Sequence, residues 1–125
     1  MDYQKVKKIL KKIKLSAPKI LVVGDVMLDQ YVLGKVKRIS PEAPVPILDF
    51  KSQEAVLGGA GNVAHNLINL GAEVSLATII GKDLDGQSII DLLLNLEISS
   101  ELIFVSSSIK TTKKTRFMAQ GNHLL

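Results

Sequence analysis

Lys19-Ile20-Leu21-Val22-Val23-Gly24-Asp25 is an apolar run that ends on a glycine and an acid, and it sets how the rest of the chain is read. Such a run predicts a short, fully buried strand that delivers Gly24 and Asp25 at its C-terminal end, where ligands bind in open α/β sheets. Val26-Met27-Leu28-Asp29 follows at once and adds a second acid. Further on, Gly58-Gly59-Ala60-Gly61-Asn62 opens an amphipathic helix. Together the two segments bring two acids, a flexible glycine pair and an amide to a place suited to a small polyhydroxylated ligand, because a carboxylate accepts two hydroxyl hydrogen bonds at once. The plain alternative is that Asp25 caps the following turn and Asp29 is solvated.

Working outward, Ser16-Ala17-Pro18 ends a leading helix, and the 30–50 stretch changes texture. Tyr31-Val32-Leu33-Gly34 and Val45-Pro46-Ile47-Leu48 read as strands, while Pro41, Pro44 and Pro46 forbid a helix or a central strand between them. A small edge element or flap is therefore expected. Gly58 to Leu70 reads as a helix with Ala60, Val63, Ala64, Leu67 and Ile68 on its apolar face and Gly71 as its stop. Val74 to Ile80 is a second buried strand, Leu84 to Leu96 a helix, and Glu101 to Val105 a third strand. Lys113 to Met118 and His123 to Leu125 complete the pattern as strands around a turn at Gly121-Asn122. Alternating strands and helices predict a layered α/β domain with right-handed crossovers. The chain stops within a strand-like pattern, so a fragment of a longer domain is expected.

The composition narrows the function classes. At 125 residues and 46% hydrophobic, the chain supports one domain with a real core. It has no cysteine, which excludes disulfides and thiolate metal sites. Its five aromatic residues are not interleaved with basic ones, as stacking on single-stranded nucleic acid would require. The net charge of +4 is local: Lys5, Lys7, Lys8, Lys11, Lys12 and Lys14 against Asp2 place +5 in the first fifteen residues. Tyr3, Val6, Leu10 and Ile13 recur there at helical spacing, so residues 1–17 read as a basic helix packed on the domain with its lysines solvated. Contact with an anionic membrane or nucleic acid is the competing reading. The segment lacks the apolar core of a signal peptide, and no stretch approaches the roughly 18 apolar residues of a membrane span. A soluble cytoplasmic protein with no nucleic-acid or membrane partner is expected.

Several motifs compete for the chemistry. Gly59-Ala60-Gly61-Asn62-Val63-Ala64 fits the dinucleotide fingerprint, with Asp83 about twenty residues on as the ribose acid. Against that NAD-type reading, Lys51-Ser52-Gln53-Glu54-Ala55 is a poor first strand. Gly81-Lys82 is followed by Asp83 where a P-loop needs Ser or Thr. His65 and His123 lack companions for a metal site, and no serine sits in a nucleophile turn. Lys110, Lys113, Lys114 and Arg116 form a second basic cluster; on a strand, Lys114 and Arg116 share one face, either gripping a phosphate or forming a solvated edge.

Four blocks in this order resemble the ribokinase-like, PfkB-type carbohydrate kinases: Val22 to Asp29, Arg38-Ile39-Ser40-Pro41-Glu42-Ala43-Pro44-Val45-Pro46, Gly58 to Ala64, and Thr111 to Arg116. The Arg38 to Pro46 block is similar to the branch that phosphorylates D-glycero-β-D-manno-heptose 7-phosphate at C1, on the way to ADP-heptose for the lipopolysaccharide core. Another ribokinase-like sugar or nucleoside kinase is the alternative within the family. The resemblance implies a layered α/β/α sheet with a small β lid, of which residues 18–125 form the N-terminal part, with lid segments at about 30–50 and 113–125. It implies that Asp29, Gly58, Gly59 and Asn62 bind sugar hydroxyls. Arg38, Lys114 and Arg116 are the implied holders of the sugar phosphate, Arg116 foremost, and the lid implies a homodimer. Gly61 stands where alanine is more usual. The Gly-Ala-Gly-Asp helix start that carries the family's catalytic Asp does not occur, and Asn62 cannot act as a base. No catalytic, metal or cofactor residue is therefore expected in this chain: ATP and Mg2+ would belong to the full-length enzyme, and the chain alone would be inactive.

Overall fold

A computed structural model describes residues 2–119 and 122–124. Helix α1 covers Tyr3–Ser16, and the parallel strand β1 covers Lys19–Val23 as the apolar run predicts. Two long strands follow, β2 at Val26–Ile39 and β3 at Pro46–Gly59, then helix α2 at Ala60–Asn69. Strand β4 is Glu73–Gly81, helix α3 is Leu84–Asn95, β5 is Ile103–Ser106, β6 is Lys113–Ala119 and β7 is Asn122–His123. The expected turn at Gly121 lies outside the described residues, as does Leu125.

The strands form two sheets. One is parallel, ordered β1-β4-β5; the other is ordered β3-β2-β6-β7, with β2 antiparallel to β3 and parallel to β6. The flap read from the prolines is thus the turn of a long hairpin. Ser40 N–H donates to the Val45 carbonyl at 2.8 Å across that turn. The Lys51 to Ala55 stretch, a poor strand by composition, lies inside β3. Polar residues are tolerated there because this part of β3 is largely exposed and its backbone is paired with β2. Helix α2 accordingly starts at Ala60 rather than Gly58.

One core joins the layers. Val26 and Leu28 from β2, Leu57 from β3, Ala64 from α2, Leu76 and Ile80 from β4, and Ile89 and Leu93 from α3 pack together with Ile98. Burial on one side only corrects the expectation for β1. Leu21 and Val23 are 57% and 74% exposed, so that strand is half-buried rather than fully buried. Val63, expected on the apolar face of α2, is likewise half-exposed. In α1, Tyr3 and Leu10 of the apolar stripe are exposed and Val6 is half-buried, while Lys14 lies against Gly71.

Candidate functional site

The approach of β2 to α2 is fixed by backbone. Gly24 N–H donates to the Ala77 carbonyl at 3.2 Å, Val26 N–H to Thr78 Oγ1 at 3.2 Å, and Ala60 N–H to the Asp25 carbonyl at 2.9 Å. The chain enters α2 through Gly59, whose φ of 58° is left-handed. A Cβ there would strike the Asp25 carbonyl oxygen, so glycine is required on two counts. Asp25 itself is exposed.

Alternation along β2 sends Leu28 into the core and Asp29 to the opposite face. Asp29 pairs in register with Val56 on β3 and Lys114 on β6, and Tyr31 pairs with Arg116. Lys114 and Arg116 therefore share the face that carries Asp29, as their spacing on a strand requires. Arg116 Nη1 donates to Asp29 Oδ1 at 2.8 Å, with the two side chains only 22% and 18% exposed. The guanidinium also lies 5.1 Å from the centre of the Tyr31 ring. The other carboxylate oxygen, Asp29 Oδ2, sits 2.6 Å from where a Cβ on Gly58 would be. Gly58 is buried, and its lack of a side chain is what lets the carboxylate lie across it.

Asp29 thus touches both Arg116 and Gly58, with Gly59 next in the chain and Lys114 opposite Asp29. Asn62 stands exposed in the first turn of α2. Arg38 is not part of this cluster: it is exposed, nine residues along β2 from Asp29. At about 3.3 Å per residue that separation is on the order of 25–30 Å. Tyr31 was missed by sequence reading, although its place two residues from Asp29 puts both on one strand face.

A second junction positions β6. Asp83 caps α3 by accepting from Gly86 N–H at 2.8 Å, and it also accepts from Thr111 N–H at 2.9 Å. Those hydrogen bonds, first Thr111 and then Gly86, hold its carboxyl below the ordinary value of 3.8. The buried Thr111 hydroxyl accepts from Gly81 N–H at 2.9 Å, and Lys113 pairs with Asp85 at 2.8 Å. Asp83 is therefore committed to a structural clasp. Gly59-Ala60-Gly61 follows an antiparallel strand instead of opening a parallel crossover, so the dinucleotide reading is not favoured. Among the described residues there is no group of three or more His, Asp or Glu arranged for a metal ion.

A parallel sheet whose first strand leads directly into a second, mixed sheet, with an acid and a glycine pair at their junction, makes this a two-sheet α/β protein. The profile of the pfkB family carbohydrate kinases matches residues 17–125, and the chain belongs to that family. Among curated relatives, it is 43% identical to the bifunctional protein HldE of Sulfurimonas denitrificans over 93% of this chain and 24% of that protein. It is 41% identical to the HldE of Pelobacter propionicus over its whole length, which is 25% of that protein. Of solved structures, a carbohydrate kinase from Agrobacterium tumefaciens superposes with a TM-score of 0.68 at 25% identity, over 86% of this chain and 34% of its own. A ribokinase-family nucleoside kinase from Methanocaldococcus jannaschii gives 0.62 at 26%, over 85% and 35%. The ribokinase-like fold is thus present as a fragment, and the chain spans about a quarter of the curated relatives it matches.

Proposed function

We propose that this chain is the substrate-binding part of an ATP-dependent kinase that phosphorylates C1 of D-glycero-β-D-manno-heptose 7-phosphate. The Asp29–Gly58–Arg116 cluster carries the reading, because it sets a hydroxyl acceptor beside a cation on one strand face at the mouth of the sheet. The likeness to HldE proteins supports the heptose assignment over other family substrates. Asp29 and Asn62 would accept and donate hydrogen bonds to sugar hydroxyls, Gly58 and Gly59 would allow close approach, and Arg116 with Lys114 would hold the phosphate.

Phosphoryl transfer needs an activated hydroxyl, an in-line donor and stabilisation of the departing phosphate. No group of three or more His, Asp or Glu is arranged for a metal ion among the described residues, and in this reading ATP, Mg2+ and the catalytic base belong to other parts of the whole protein. The chain alone is expected to be inactive. Its bare sheet face agrees with that division of labour, since Leu21, Val23, Ile79 and Phe104 form an exposed apolar surface on the parallel sheet. Arg38 lies too far along β2 to share a ligand with Asp29 of its own chain. We assign it to the sugar site of a second copy, reached where two lids pair in a homodimer.

Whole-protein assays with heptose 7-phosphate, unphosphorylated sugars and nucleosides test the assignment. ATP-dependent turnover of the sugar phosphate supports it, and turnover of only a sugar or nucleoside lacking the phosphate removes it.

A further inference from the structure

We propose that Arg116 is a positioning residue for Asp29: it braces the carboxylate toward sugar hydroxyls, in addition to its hold on a phosphate. The inference rests on the reading of Asp29 as the hydroxyl acceptor. It starts from a choice the sheet makes. Lys114 is the register partner of Asp29, yet the ion pair is formed diagonally with Arg116, and among the described residues Asp29 has no other.

Two features make the diagonal pair a brace. The guanidinium is planar and lies over the face of the Tyr31 ring, 5.1 Å from its centre, so the ring helps to hold it in place beside the carboxylate. The carboxylate is then held at both ends: Oδ1 at 2.8 Å from Nη1, and Oδ2 against the bare backbone of Gly58. A carboxylate fixed in this way still has free lone pairs for hydroxyls, and a guanidinium that spends one nitrogen on Asp29 keeps other N–H donors for a phosphate. One cation therefore serves both ends of a sugar phosphate. Removing it should weaken the hydroxyl end even when the ligand carries no phosphate.

That last consequence separates a brace from a simple phosphate grip. In the whole protein, Asp29→Asn, Arg116→Ala, Arg116→Lys and the Asp29→Asn/Arg116→Ala double variant would be titrated with heptose 7-phosphate and with the same heptose lacking the phosphate, alongside a thermal melt of each. For the unphosphorylated sugar, Arg116→Ala should weaken binding by roughly tenfold, close to the effect of Asp29→Asn, and add little in the Asp29→Asn background. Arg116→Lys should restore only part, because an ammonium lacks the planar fork and the stacking. The proposal is overturned if Arg116→Ala leaves the unphosphorylated sugar's affinity unchanged, if its cost is the same in both backgrounds, or if only the melting temperature moves. Asp29→Asn without effect on either sugar would instead remove the sugar-site reading itself.

Discussion

Asp29 and Arg116 lie 87 residues apart in sequence and 2.8 Å apart in the fold. Both residues were legible as candidates, since each carries the right charge in a block that resembles a known family. Their contact was not, because register between β2 and β6 is set by tertiary pairing that no local pattern encodes. Gly58 gives a prediction at this scale. A methyl group there would meet Asp29 Oδ2 at 2.6 Å and Met27 Cγ at 2.7 Å. The carboxylate can swing away more readily than the backbone can move, so Gly58→Ala should raise the sugar KM by about tenfold while costing only about 1–3 kcal/mol of stability. Steady-state kinetics and denaturant unfolding check the two halves.

Elements show where sequence reading succeeds and where it fails. Strand β1, helix α3 and strands β4 and β5 follow from apolar runs bounded by glycine, proline and polar clusters. The β2–β3 hairpin is legible only in part, at Tyr31 to Gly34 and Val45 to Leu48; its full length is not, because much of β3 is solvent-facing and polar and lacks the apolar run or clean alternation that identifies a core strand. The clasp at Asp83 ties the start of α3 to the segment entering β6 and so helps place Lys114 and Arg116. Its carboxyl is held below 3.8 in the folded chain, so its contribution to stability is present above that value and is lost as pH falls through the folded one. Asp83→Asn should therefore melt lower than the parent at pH 7 and show a flatter fall in melting temperature between about pH 5 and 3. Parallel pH slopes for parent and variant would contradict this. In the core between the layers, Leu93 is fully buried, and Leu93→Ala should cost about 2–5 kcal/mol by chemical denaturation.

For the whole molecule, the exposed face of the parallel sheet and the distance between Arg38 and Asp29 both support the proposal that the site is completed by residues beyond this stretch of chain. A dimer with paired lids makes a specific expectation. Mixed dimers of Arg38→Ala and Asp29→Asn chains contain one site with both groups intact, so a one-to-one mixture should recover about a quarter of the parental activity from two feeble variants. Recovery no greater than the average of the two variants would place Arg38 outside the partner's site. The most direct measurement is a 31P NMR assay of the whole protein with ATP and D-glycero-β-D-manno-heptose 7-phosphate. A second phosphate should appear on the anomeric carbon; no transfer to this substrate, with phosphorylation only of an unphosphorylated sugar or a nucleoside, would rule out the heptose 7-phosphate assignment.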